Sequence, residues 1–108
     1  MSVVKINQEL FEQQVENEKK AVLAEFWAPG CVYCRRIGPA YEKIAQEYGD
    51  RLVIGQVNID EEQALAARNK IEVVPTLILF KDGQAAGSIV APESKGKIEE
   101  FIKEHMEA

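Results

Sequence analysis

Two hydrophobic periodicities alternate along the chain. Short, nearly continuous apolar runs are typical of buried strands, whereas apolar residues at every third or fourth position are typical of amphipathic helices. The pattern predicts strands at 3–6, 21–27, 52–59, 76–80 and 85–91. It predicts helices from a cap at Asn7 to about Asn17, from about Cys31 to Tyr48, from a cap at Asp60 to about Asn69, and from about Ser94 to Met106.

The order of these elements decides the fold class. Strands and helices alternate through the first half of the chain, which demands parallel strands with helical crossovers. The last two strands are joined by "KDGQ", whose Asp82-Gly83 pair is typical of a two-residue hairpin turn. The order βαβαβαββα therefore predicts an α/β fold with a mixed central sheet and helices on both faces, in a single domain covering residues 1–108.

Composition narrows the function classes. The 108 residues include 18 acidic and 13 basic side chains, and the lysines and arginines form no long block of the kind that binds nucleic acid. No run approaches the roughly 20 apolar residues of a membrane span. The opening "MSVVKINQEL" turns polar after a few residues, unlike a signal peptide. We therefore expect a cytoplasmic monomer that binds neither nucleic acid nor membranes.

The chain's two cysteines, Cys31 and Cys34, lie three residues apart where a strand gives way to a helix. Residues at this spacing share one helix face and are close enough for a disulfide. The unpaired N–H groups at the helix start stabilise a thiolate at Cys31, with Cys34 one turn further in. The spacing indicates redox chemistry. Half of a zinc site completed by His105, or a pair of inert core cysteines, are the alternatives.

One acidic residue, Glu25, interrupts the apolar run "AVLAEFW" at 21–27. In a strand buried on both faces this carboxyl group is desolvated, so its pKa is raised. Glu25 lies six residues before Cys31, and its side chain is expected to reach beneath the helix start. There it can take a proton from Cys34. The alternative is that the strand frays or bulges and Glu25 reaches solvent.

Five parts of the chain, in register, resemble the thioredoxin family. They are "FWAPGCVYC" at 26–34, Pro39 in the helix, "VNID" at 57–60, "VPTLILFKDG" at 74–83 and "SKGKIEEFI" at 94–102. The resemblance implies the thioredoxin fold and dithiol–disulfide exchange. It implies that Cys31 attacks, that Cys34 resolves the mixed disulfide, and that Glu25 stands where the family has a buried aspartate.

The same resemblance assigns a client-binding surface. Pro75 corresponds to the family's cis-proline, which faces the disulfide, and Val74 is expected to pair its backbone with the client chain. Trp27 stands where the family has a tryptophan packed under the site. The residues expected to bind clients are Trp27, Gly30, Val32, Tyr33, Val74, Pro75 and Ala91.

Several positions depart from the family's pattern. They are Glu25 for aspartate, Gly30 for a bulky tryptophan, Val32-Tyr33 for Gly-Pro, and Gln56 for the lysine that usually neighbours the buried carboxylate. Gly30 is expected to open the approach to Cys31. Because Tyr33 has an N–H that proline lacks, we expect this donor to point toward the Cys31 sulfur.

The sequence therefore predicts a protein disulfide reductase that exchanges its Cys31–Cys34 dithiol with client disulfides. No tightly bound cofactor is expected, and a separate thioredoxin reductase is expected to supply the electrons. The alternatives are an oxidant or isomerase of the same fold, a redox-inactive binding module, and an iron–sulfur protein bridging two chains.

Overall fold

The structure is a computed structural model that describes residues 3–106. One five-stranded sheet and four helices make up this part of the chain. The strands are β1 (Val4–Lys5), β2 (Val22–Trp27), β3 (Val53–Asn58), β4 (Thr76–Lys81) and β5 (Gln84–Val90). The helices are α1 (Gln8–Phe11), which continues as a π-helix over Glu12–Asn17, α2 (Val32–Tyr48), α3 (Gln63–Arg68) and α4 (Lys95–Met106). Within the described residues, no helix has the length and apolar character needed to cross a membrane.

The strands lie in the order β1-β3-β2-β4-β5. β3 pairs in parallel with both β1 and β2, whereas β4 pairs antiparallel with β2 and with β5. The parallel neighbours are connected through helices, and the antiparallel β4–β5 pair is the predicted hairpin. The structure thus confirms the mixed α/β sheet and the predicted order of elements.

Side chains of the central strand β2 point alternately into two separate cores, because successive residues of a strand face opposite sides of the sheet. Leu23 packs with residues of α2 and α4 on one face. Ala24 and Phe26 pack with residues of α1, its π-helical continuation and α3 on the other face. Helices therefore cover both faces, as predicted. The predicted inner face of α2 is buried: Ile37, Tyr41, Ile44, Ala45 and Tyr48.

The turn between β4 and β5 has the geometry that its sequence predicts. Asp82 and Gly83 both have positive φ, 55° and 83°. Lys81 and Gln84 pair directly across them. Two positive φ angles in a two-residue loop are characteristic of the hairpin turn whose twist matches that of the flanking strands. The predicted Asp-Gly hairpin is therefore confirmed.

One predicted helix cap is confirmed and another is wrong. Asn7 Oδ1 accepts a hydrogen bond from the Leu10 N–H at 2.8 Å, so Asn7 caps α1. Asp60 does not cap α3, which begins later, at Gln63. Asn58 Oδ1 instead accepts the Asp60 N–H at 2.9 Å. Asp60 therefore lies in the turn that follows β3, where its N–H is bound by the Asn58 side chain.

Candidate active site

Cys31 and Cys34 are joined by a disulfide at the N-terminal end of α2. Their Cα atoms are 5.3 Å apart, within the usual range for a disulfide. Cys31 is the N-cap residue of α2, and its Sγ accepts a hydrogen bond from the Cys34 N–H at 3.1 Å. A sulfur atom thus occupies the place that a serine or aspartate oxygen takes at many helix starts. The pair predicted from the spacing is therefore in covalent contact.

The two cysteines differ in exposure. Cys31 is partly exposed, whereas Cys34 keeps only 5% of its accessible surface. The free N–H groups and the dipole at the start of α2 favour negative charge on the outer sulfur. Cys31 is consequently the sulfur that an external disulfide can reach, at a position where a thiolate is stabilised. This exposure argues against the alternative of two inert core cysteines.

The zinc alternative required His105 close to both cysteines. The His105 ring instead packs against Phe101 within α4, and its Nδ1 lies 2.9 Å from the Phe101 carbonyl oxygen. Over residues 3–106, no three His, Cys, Asp or Glu side chains gather in a way that would hold a metal ion. The three residues of that alternative are therefore not brought together.

The N–H of Tyr33 does not lie where we expected it. Among residues 3–106, the backbone donor to Cys31 Sγ is the Cys34 N–H, and the Tyr33 N–H makes no hydrogen bond to that sulfur. A cap side chain accepts from the second or third helical N–H, and here the third is used. The expectation that Tyr33 adds a donor to Cys31 is wrong for this disulfide-bonded state.

Glu25 is fully buried in β2. It lies in register with Gln56 of β3, and Gln56 Nε2 donates a hydrogen bond to Glu25 Oε1 at 3.0 Å. Glu25 Oε2 is buried without a hydrogen-bond partner in the described part of the chain. Desolvation raises the pKa of Glu25 to about 6, and the Gln56 hydrogen bond offsets this only in part. The alternative in which Glu25 reaches solvent is therefore wrong.

Glu25 lies on the face of the sheet that α2 covers. Leu23 and Glu25 are two residues apart in β2 and so point to the same side, where Leu23 packs with residues of α2. The Tyr41 hydroxyl of α2 lies 3.1 Å from the Leu23 carbonyl oxygen and 2.7 Å from that of Gly55 in β3. Burial and the charge of Glu25 raise the pKa of Tyr41 well above its usual value, so this hydroxyl stays a donor. Tyr41 thereby fixes α2 to the two strands that carry Glu25 and its partner.

The segment before β4 adjoins the disulfide. The Val74–Pro75 peptide bond is cis, as the family resemblance implied. The Val74 carbonyl oxygen lies 3.8 Å from Cys31 Sγ. The Thr76 hydroxyl donates a hydrogen bond to the Val73 carbonyl oxygen, which holds this segment in a turn. Val74 and Pro75 are therefore brought to the site, as predicted.

The loop between β5 and α4 lies beside that segment. The Ala91 N–H donates to the Pro75 carbonyl oxygen at 2.9 Å. The Tyr33 hydroxyl donates to the Pro92 carbonyl oxygen, also at 2.9 Å. Ala91 has a φ of 46°, in the left-handed region that costs free energy for any residue with a Cβ. Hydrogen bonds thus hold this loop from two sides.

The remaining predicted client-binding residues are Trp27, Gly30 and Val32. Val32 is 56% exposed immediately after Cys31. Gly30 is exposed, its φ is not in the left-handed region, and a Cβ added there would meet no atom within 4 Å. Trp27 is partly exposed and lines a surface recess together with Gln56. Gly30 therefore leaves the approach to the disulfide open, whereas Trp27 lies next to Gln56, the hydrogen-bond partner of Glu25.

Sequence reasoning missed Arg35, which braces the loop before the disulfide. Arg35 Nη1 donates a hydrogen bond to the Pro29 carbonyl oxygen at 2.9 Å. Its position four residues after Cys31, on the same helix face, was the available signal. A cationic group is therefore held next to the loop that leads into Cys31.

Sequence reasoning also missed Val73, Val90 and Pro92. Val73 and Val90 are 54% and 52% exposed, and Val32 is the third strongly exposed large apolar residue among residues 3–106. Val90 lies in the predicted strand 85–91 and Val73 in the apolar stretch before Pro75, so the apolar pattern gives no hint of their exposure. The Pro92 carbonyl contacts a side chain 59 residues away, a separation for which local pattern carries no signal.

A C-x-x-C disulfide at a helix start, facing a cis-proline on a mixed five-stranded sheet, defines a thiol–disulfide oxidoreductase. The thioredoxin family model matches residues 2–104. The chain is 35% identical to the thioredoxin of Bacillus subtilis over 106 residues, which cover 98% of this chain and 100% of the relative. It is 36% identical to thioredoxin 1 of Synechococcus elongatus over 96 residues, 89% of this chain and 90% of the relative. A thioredoxin-like protein of Synechocystis is 36% identical over 107 residues, 99% of this chain and 98% of the relative. The chain belongs to the thioredoxin family.

Proposed function

We propose that this oxidoreductase works as a protein disulfide reductase, with Cys31 as the nucleophile and Cys34 as the resolving cysteine. The observation that carries the proposal is the unequal exposure of the two cysteines. Cys31 caps α2 and is partly exposed, whereas Cys34 keeps only 5% of its accessible surface. A thiolate at the helix start is stabilised and reachable. The inner cysteine is protected until a mixed disulfide has formed beside it.

The reaction proceeds in two exchanges. The Cys31 thiolate attacks one sulfur of a client disulfide, the client S–S bond breaks, and its other sulfur leaves as a thiolate that takes a proton from water. Cys34, once deprotonated, attacks Cys31 Sγ, the mixed disulfide breaks, and the second client thiolate leaves. Two electrons pass from the dithiol to the client. The protein is left with the Cys31–Cys34 disulfide, the state in which the structure has it.

Glu25 is the proposed acceptor of the Cys34 proton. Its pKa of about 6 means that it is mostly ionised near neutral pH yet more basic than an ordinary carboxylate. The unpartnered, buried Oε2 leaves one oxygen without a competing donor in the described chain. Glu25 lies under α2, the helix whose first turn carries Cys34, which supports this role.

The client segment is proposed to lie in extended form along Val74. No hydrogen bond within residues 3–106 uses the Val74 N–H, so this donor can pair with a client carbonyl group. The proposed client surface also includes the residues around this opening: Gly30, Val32, Tyr33, Pro75 and Ala91. Trp27, which lies beside Gln56, forms its edge. The proposed partners are disulfide-containing proteins and a thioredoxin reductase as electron donor.

The proposed setting is the cytoplasm, where the glutathione and thioredoxin systems keep dithiols reduced. We also propose that residues 1–108 act as one domain and as a monomer. One continuous sheet with a core on each face supports the first of these proposals.

Three experiments test the proposed function. The wild-type protein should accelerate the reduction of insulin by dithiothreitol, and a redox-inactive binding module would not. Cys34→Ser should trap mixed disulfides with client proteins, whereas Cys31→Ser should not. Equal trapping by both variants would contradict the assigned roles, and trapping by Cys31→Ser alone would reverse them. A redox titration against glutathione then separates a reductase from an oxidant or isomerase, because the latter have less negative potentials.

A further inference from the structure

Three separate chain segments surround the disulfide. They are the turn between the two cysteines, the segment that ends in Val74 and Pro75, and the loop that follows β5 at Ala91 and Pro92. Each segment contains or directly follows one strongly exposed valine: Val32 at 56%, Val73 at 54% and Val90, the last residue of β5, at 52%. We call this set the valine rim. The spacing of the rim depends on how the three segments are held to one another.

Three contacts connect the three segments to one another. Cys31 Sγ lies 3.8 Å from the Val74 carbonyl oxygen. The Pro75 carbonyl oxygen accepts the Ala91 N–H at 2.9 Å. The Pro92 carbonyl oxygen accepts the Tyr33 hydroxyl at 2.9 Å. The last contact closes the ring, because Tyr33 lies between the two cysteines.

The Tyr33 contact is the member of this ring that depends on a side-chain donor. The Tyr33 ring is partly buried and packs against the core formed by α2 and α4. Its hydroxyl would lose water on packing and needs a partner. Pro92 is itself buried, and its carbonyl group needs a donor for the same reason. Each group therefore satisfies the other, across 59 residues of sequence.

The loop on the far side of this hydrogen bond is strained. Ala91 has a φ of 46°, and a non-glycine residue remains in that region only where its surroundings hold it there. The Ala91 N–H bond and the Tyr33–Pro92 bond act on two adjacent residues of the loop. Removing the hydroxyl group leaves one of these two restraints.

We propose that Tyr33 is a positioning residue for protein clients. Its hydroxyl fixes the Ala91–Pro92 loop against the disulfide and so sets the valine rim to receive an extended client segment with apolar side chains near its cysteine. The inference rests on the proposed function. Tyr33 takes no part in bond making at sulfur. A small disulfide needs only the two cysteines, whereas a protein client also needs the loops on both sides.

The test compares a protein disulfide with a small one. Reduced wild type, Tyr33→Phe and Tyr48→Phe are mixed with insulin or with bis(2-hydroxyethyl) disulfide, quenched by alkylation, and analysed by mass spectrometry for the oxidised fraction. Tyr33→Phe removes only the hydroxyl group. Tyr48 lies in the last turn of α2 and its hydroxyl makes no hydrogen bond within residues 3–106, so Tyr48→Phe is the matched control.

The ratio of the insulin rate constant to the small-disulfide rate constant should fall about three- to tenfold in Tyr33→Phe, the effect of one neutral hydrogen bond. It should not fall in Tyr48→Phe. Amide hydrogen exchange at Ala91 should also become faster in Tyr33→Phe alone. An unchanged ratio, whether both disulfides are slowed equally or neither is slowed, overturns the inference. A wild-type protein that does not reduce insulin at all would overturn the proposed function instead.

Discussion

Gln56 Nε2 donates a 3.0 Å hydrogen bond to Glu25 Oε1 across the β2–β3 pair. This neutral amide lowers the pKa of the carboxyl group less than a cation would, because it supplies a hydrogen bond but no opposite charge. Glu25 therefore retains a pKa of about 6, well above its ordinary value of 4.5. Protein stability and disulfide chemistry both depend on this one protonation.

Glu25 should make the folded protein less stable as pH rises. The folded state binds its proton more tightly than the unfolded state does, so the stabilisation is fully present below about pH 4.5 and is lost as pH rises through about 6. The difference corresponds to about 2 kcal/mol at 1.36 kcal/mol per pKa unit. Glu25→Gln should abolish this loss. Urea unfolding of wild type and Glu25→Gln at a series of pH values measures it.

The unfolding free energy of the wild type alone does not isolate Glu25, so only its difference from that of Glu25→Gln is informative. Glu42→Gln, which removes an exposed glutamate from the same chain, provides a matched loss of one charge. Its stability curve should stay parallel to that of the wild type. Parallel curves for Glu25→Gln as well would contradict the buried, proton-binding state of Glu25.

Glu25→Gln should also slow the second exchange more than the first. Without the carboxylate, Cys34 must lose its proton to water, whereas the initial attack uses a thiolate already stabilised by the start of α2. A general base typically contributes about 10²–10⁴-fold to such a step. Quenched-flow detection of the mixed disulfide should show it accumulating in the variant. Equal slowing of both exchanges would argue that the substitution acts on the fold.

Gly30→Trp should change client preference more than stability. A Cβ added at Gly30 meets no atom within 4 Å, and the backbone angle is acceptable for any residue. The free energy of unfolding should therefore change by less than about 0.5 kcal/mol. Relative reduction rates for several unrelated disulfide proteins should shift, because the indole would cover the open approach to Cys31. Gly30→Ala controls for the loss of glycine alone, and identical relative rates in all three proteins would leave the idea without support.

Ala91→Gly should be neutral or stabilising. Glycine relieves the cost of a φ of 46°, about 1–2 kcal/mol for the left-handed region, and loses about 0.4–1 kcal/mol through a freer unfolded chain. The free energy of unfolding should then stay unchanged or rise by up to about 1.5 kcal/mol. Ala67→Gly in helix α3, an exposed site, should instead lower it by about 0.5–1 kcal/mol. Similar destabilisation in both variants, measured by urea unfolding, would contradict the strain at Ala91.

The sequence predicts most of the fold because its local patterns agree with its tertiary contacts. The apolar runs give β2, β3 and β4, and the helical spacing of α2 identifies its buried face. The predicted cap at Asp60 fails because Asn58, two residues earlier, forms the local hydrogen bonds instead. Two capping residue types in one short turn compete, and sequence does not rank them.

The candidate site is predictable where a short spacing carries the chemistry. The C-x-x-C pair and the acidic residue inside an apolar strand are both visible locally, and both lie where the pattern places them. The Tyr33–Pro92 hydrogen bond is not visible, since its partners are 59 residues apart. The strained φ of Ala91 is equally hidden, because alanine does not signal a left-handed backbone as glycine does.

The capping role of the Cys31 sulfur makes local folding depend on oxidation state. The same atom accepts the Cys34 N–H at 3.1 Å and exchanges its covalent partner during the reaction. An anionic sulfur accepts hydrogen bonds more strongly than a sulfur in a disulfide, so reduction should tighten the first turn of α2. By thermodynamic linkage, any substitution that frays this turn must also make the thiolate harder to form. Hydrogen exchange at the Cys34 amide, slower in the reduced protein than in the oxidised one, would measure this coupling directly.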